Sequence, residues 1–76
     1  MNSMDAVSLK NEKDTVLVTR NSTGYSDIVR ISKRGNVVRR NVSAQEAGSM
    51  VSHLLGRGYT FLNEVKTQEL LVAAGY

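Results

Sequence analysis

Two periods organise the apolar residues of this chain, one close to two residues and one close to three and a half. Thr15-Val16-Leu17-Val18-Thr19 is mostly β-branched and is closed by the turn-forming cluster Asn21-Ser22-Thr23-Gly24, so it predicts a strand. Ile28-Val29-Arg30-Ile31 and Val37-Val38-Arg39-Arg40-Asn41-Val42 predict two more. They join through Ser32-Lys33-Arg34-Gly35-Asn36, where Gly35 suits the left-handed position of a type I turn with a bulge. Setting Ile31 opposite Val37 puts Val29, Ile31, Val37 and Arg39 on one face and Ile28, Arg30, Val38 and Arg40 on the other. Neither face is then cleanly apolar, and a slip of one residue in the turn re-sorts them.

The longer period begins at Ser43-Ala44-Gln45-Glu46, a capping box in which the Ser43 hydroxyl accepts from the Glu46 N–H and the Glu46 carboxylate reaches back. Ala47, Met50, Val51, Leu54 and Leu55 then form one apolar stripe on a helix from about Ala44 to Leu55, with Gly56 or Gly58 as its stop. Gly48 interrupts it at a cost of about 1 kcal/mol relative to alanine. Two explanations fit, a close approach of helix to sheet or a tolerated blemish. Tyr59-Thr60-Phe61-Leu62 predicts a strand returning to the same sheet. Thr67 to Ala74 predicts a short helix capped by Thr67 and stopped at Gly75, with Leu70, Leu71 and Ala74 inward; a final strand, Leu70 to Ala73, is the alternative. The tail from Glu69 to Tyr76 resembles the closing helix of phage-repressor-type helix-turn-helix domains, over that tail alone. The glycine turn and recognition helix that precede it in such domains are missing from this sequence.

Met1 to Asp14 mixes charges and holds no apolar run long enough for a signal peptide or a membrane span. It is expected to be a flexible N-terminal arm, with residues 15–76 forming one α+β domain. That domain is predicted to be a small antiparallel sheet of three to four strands, with the amphipathic helix packed on one face and a short C-terminal helix or strand. The other face needs a cover, which the terminal segment, a partner or a second copy could each supply.

Composition narrows the class. Seventy-six residues hold one small core, and with no cysteine and no tryptophan it rests on aliphatic side chains with no covalent reinforcement. Self-association into a homodimer would add apolar burial, and the absence of cysteine fits a reducing, cytoplasmic setting. Asn21-Ser22-Thr23 and Asn41-Val42-Ser43 match the glycosylation pattern, which carries no weight without a secretory signal.

Charge adds the one functional signal. Five of the ten Lys and Arg residues, Arg30, Lys33, Arg34, Arg39 and Arg40, fall between Asp27 and Ser43; against the single acid Asp27 that stretch is +4 in a chain of +3, leaving −1 elsewhere. A basic ribbon on a near-neutral body is a footprint for an anionic partner. Cations along a sheet edge also discourage edge-to-edge pairing, a purely solvated role. Catalysis is not expected. His53 stands beside Ser49 and Ser52 without a group to orient it or an oxyanion hole, the seven acids include no metal-site pair, and the glycines match no phosphate loop. No cofactor or metal is expected.

The sequence therefore reads as a small non-catalytic protein-binding module or inhibitor, engaging an acidic partner through the basic hairpin, and similar in type to the small accessory proteins of bacterial viruses. The alternative is a nucleic-acid-binding regulator whose hairpin contacts phosphates, although no aromatic residue is interleaved for base stacking. Neither reading requires a membrane.

Overall fold

Strands β1 (Ala6–Lys10), β2 (Thr15–Arg20), β3 (Ser26–Ser32) and β4 (Gly35–Val42) run antiparallel in chain order, each beside the one before it, in a computed structural model that describes residues 6–76. Helix α1 (Ala44–Gly56) follows, then a two-residue strand β5 (Thr60–Phe61) and helix α2 (Glu64–Ala73). Strand β5 adds to the outer side of β1, so the single open sheet reads β4-β3-β2-β1-β5. This is a small α+β fold with one more strand than expected.

The extra strand is β1, which corrects the expectation of an N-terminal arm. Residues 6–10 lie inside the sheet between β2 and β5, with Ser8 and Leu9 fully buried. The reason is visible in Val7-Ser8-Leu9, Asn11-Glu12-Lys13-Asp14 and Thr15-Val16-Leu17: two short runs with apolar residues around a turn-forming linker, in which Asn11 Oδ1 accepts from the N–H groups of Lys13 and Asp14 at 2.8 and 3.0 Å. The part of the expected arm from Met1 to Asp5 lies outside the described residues.

Both faces of the sheet are covered, by different helices. Alternation along β2 sends Val16 and Val18 to one side, where they pack with Leu9, Ile28 and Val42 beneath Ala47, Met50, Val51 and Leu54 of α1. Leu17 points the other way and packs with Val29 beneath Leu70, Leu71 and Ala74 of α2. Each fully buried aliphatic side chain contributes roughly 1.5–3 kcal/mol. Of the three covers the sequence left open for the second face, the terminal segment is the one used.

The capped helix forms as expected in its cap and stripe: Ser43 Oγ accepts from the Glu46 N–H at 3.1 Å, while Leu55, at the end of the stripe, is 43% exposed. The second half of the capping box is replaced. Glu46 turns its carboxylate to Arg39, whose Nη2 lies 2.6 Å away. Gly58 (φ +93) makes the stop, letting the N–H groups of Gly58 and Tyr59 reach the Leu55 and Leu54 carbonyls. A Cβ built on Gly48 meets nothing within 4 Å, so no close approach explains that glycine.

Helix α2 settles the C-terminal alternatives and shifts the expected boundary. Residues 70–73 are helical, and the cap is Asn63, whose Oδ1 accepts from the Lys66 N–H at 2.8 Å. Thr67, expected as the cap, lies one turn inside and is buried against the sheet, because Leu62 first binds the Ser8 carbonyl through its N–H and delivers Asn63 to the sheet surface.

The β3–β4 hairpin adopts the slipped register. Ile31 faces Asn36, Arg30 faces Val37, Val29 faces Val38 and Ile28 faces Arg39, with Lys33 and Arg34 forming the turn and Gly35 (φ +125) following it. Ile28, Arg30, Val37 and Arg39 therefore share the α1 side, and Val29, Ile31 and Val38 the α2 side. Near its far end the pairing shifts between Ser26 and Ile28, and Asn41 takes a positive φ of 59 to accommodate a bulge.

Candidate functional site: the hairpin edge and the cationic end of the sheet

Strand β4 closes one side of the sheet and is exposed at every position from Gly35 to Asn41. Val37 and Val38 are 63% and 41% exposed, on opposite faces of the strand. Neither contributes to the packed clusters under the helices, so of the three valines of this strand Val42 alone fills the core while Val37 and Val38 are displayed to solvent.

The five cations predicted as the binding set do not form one surface. Arg30 and Arg39 lie on the α1 side, where Arg30 Nη1 meets Asp14 Oδ2 at 3.3 Å and Arg39 meets Glu46. Arg40 points to the α2 side, with Nη1 3.4 Å from Asp27 Oδ2. Lys33 and Arg34 occupy the turn and have no ion-pair partner among the described residues. All five side chains stay exposed. The Arg39–Glu46 pair, exposed on both sides, is worth about 0–1 kcal/mol, so Arg39 remains able to exchange partners.

At the bulge the pairing is more than a surface contact. Asp27 is 2% exposed, and its carboxylate accepts from Asn21 Nδ2 (2.9 Å), the Asn41 N–H (3.1 Å), Arg40 and the Tyr76 hydroxyl (2.5 Å). Burial by itself would raise its pKa; the hydrogen bonds from Tyr76, Asn21 and Asn41, with the charge of Arg40, outweigh burial and hold it below the ordinary carboxylate value. The same arrangement raises the Tyr76 hydroxyl, through burial first and then the bond to Asp27. This network ties the end of α2 to the sheet and consumes the acid; it is structural chemistry.

The opposite end of the sheet gathers charge that the sequence disperses. Pairing aligns Thr60, Lys10, Thr15, Ile31 and Asn36 across the strands, so the β1–β2 turn, the β3–β4 turn and the end of α1 all project from one end. A cleft there, of about 1020 Å³, is lined by Lys10, Lys13, Arg30, Arg57 and His53, with Glu12 and Asp14 as its acids. Asp14 is already engaged by Arg30 and by the Tyr59 hydroxyl at 2.5 Å, a bond that, with burial, raises the Tyr59 pKa. Lys10, Lys13 and Arg57 have no ion-pair partner among the described residues. Of these cleft residues the sequence placed only Arg30 in the binding set; the signal that could have found Lys10 and Lys13 is the hairpin signature of residues 7–17, which sets Lys10 opposite Thr15 of β2 and Lys13 in the turn between the two strands.

No group of three or more His, Cys, Asp or Glu side chains among the described residues is placed to hold a metal ion. Among the described residues no helix is long and apolar enough to cross a membrane. No protein-family model matches the chain, and no curated protein and no solved structure matches it.

Proposed function

We propose that this protein is a small non-catalytic binding module, of an inhibitor or accessory type, that engages an acidic surface of a protein partner through the β3–β4 hairpin in a reducing, cytoplasmic setting. The observation that carries this reading is the outer strand β4, exposed from Gly35 to Asn41, with Val37 and Val38 flanked by Lys33, Arg34, Arg39 and Arg40. An apolar centre with a charged rim is the composition of a protein interface, and arginine is among the residues that most often dominate binding energy there. Arg30 and Arg39 on one face and Arg40 on the other favour a partner that grips the strand from both sides over a polymer lying along one side. With the sheet faces packed against α1 and α2, the outer strand leaves a backbone edge open to a partner.

The test is capture from a cell lysate with immobilised wild type, followed by purification of the captured protein and titration by calorimetry. The expected partner is acidic, binds with an affinity that weakens with salt, and loses about tenfold affinity or more to Val37→Ser/Val38→Ser and to Lys33→Gln/Arg34→Gln. A partner bound equally by wild type and both variants would overturn the reading.

A further inference from the structure

We infer that the cleft at the end of the sheet is a second, separate binding site, which takes the phosphate backbone of a nucleic acid. Lys10, Lys13, Arg30 and Arg57 bring four positive charges to its lining against the two acids Glu12 and Asp14, and His53 adds an imidazole on the same rim. One of those acids is spent: Asp14 holds Arg30 and the Tyr59 hydroxyl. Lys33 and Arg34 project from the same end, so six of the ten cations of the chain gather there and the net charge of this end is +4 in a chain of +3. The negative end of the α1 dipole also faces this region, but the carbonyls of Leu54 and Leu55 are already bonded by the N–H groups that follow, which reduces its opposition to an anion.

The chemistry of the lining selects the ligand. The cleft is open and walled by charged and polar groups, and its apolar and aromatic members, Leu54 and Tyr59, are buried and present no ring for a base to stack on. A small-molecule site is usually enclosed and mostly apolar. Several cations around an open groove with a further pair beyond it suit a run of phosphates instead, held without reading of sequence. Arg30 is the hairpin's contribution to the lining of this site; Arg39 and Arg40 belong to the other end of the molecule.

The experiment is fluorescence anisotropy of a short fluorescein-labelled DNA duplex across a salt series, with inorganic tripolyphosphate titrated in parallel. Four phosphate contacts give a log–log slope of about −3 to −4. Lys13→Gln/Arg57→Gln should weaken binding by about tenfold or more and make the slope shallower by about 2. Arg20→Gln/Lys66→Gln removes the same charge elsewhere and should leave the slope unchanged; circular dichroism confirms that both variants are folded. Equal losses in the two variants would reduce the effect to net charge and overturn the site, as would a flat salt response or binding of tripolyphosphate without binding of the duplex. The Val37→Ser/Val38→Ser arm of the protein-capture titration reads residues that take no part in the cleft, so either site can fail while the other stands.

Discussion

The hydroxyls of Ser8 on β1 and Thr67 on α2 meet at 2.6 Å with both residues buried, joining the strand next to the sheet edge to the helix that covers it. Thr67 Oγ1 also donates to the Asn63 carbonyl at 2.9 Å, so in the satisfied arrangement Ser8 is the donor of the pair. Thr67→Val strands the Ser8 hydroxyl in an apolar layer and should lower unfolding stability in urea by about 1–3 kcal/mol. Ser8→Ala/Thr67→Val removes both partners and should lie closer to wild type than the sum of the single losses. Strict additivity would show that the two hydroxyls act independently.

Acid should remove the contribution that the Asp27 carboxylate makes at the bulge. The carboxyl of Asp27 titrates lower in the folded chain than in the unfolded one, so its contribution is complete above about pH 4, the ordinary value, and is lost as pH falls through the lowered folded value. Asp27→Asn should cost about 1–3 kcal/mol at neutral pH. The gap to wild type should narrow as denaturation curves are collected below about pH 4. A gap independent of pH would mean that the hydrogen bonds hold the two protonation states equally well.

Gly48→Ala should stabilise the protein by up to about 1 kcal/mol, a rise of several degrees in Tm. The added methyl enters open space on an exposed part of α1, and the helical backbone there needs no glycine. Loss of stability on this substitution would reveal a contact of α1 that the monomer does not contain.

Truncation of the two helix anchors should be costly on both faces but local in its consequences. Leu54→Ala and Leu71→Ala each remove a side chain that is 2% exposed and should lose about 2–5 kcal/mol. Hydrogen exchange distinguishes them: the first should release amides of α1 and the second those of α2. The same amides opening in both variants would mean that the two layers unfold as one unit.

The legible parts of this fold are those in which a local signal and a tertiary role agree. Ser43 and the stripe from Ala47 to Leu54 were readable because the cap, the period and the buried face coincide in one segment. The hairpin register was not, because Val37 and Val38 offer one valine to each face and give neither pairing an advantage; the turn at Lys33 and Arg34 decides it. Strand β1 was hidden by its length, since Val7 and Leu9 are too few to mark a strand until β2 pairs with them. The start of α2 was hidden because Glu64 to Gln68 carries one apolar residue, Val65, and it faces solvent. Of the candidate sites, the hairpin charges fall within one short stretch of sequence and could be read directly, whereas Lys10, Lys13 and Arg57 meet only through strand pairing and the end of a helix.

Laying β1 to β4 side by side in chain order pairs each of these strands with its neighbour in sequence. The hairpins of such a meander can form one after another without a large loop being closed first. The exceptions are β5 and α2, which must return across the chain to reach β1. The late step of assembly is therefore the capture of the C-terminal segment, and refolding speed should respond to substitutions at Leu71 or Thr67 less than unfolding speed does.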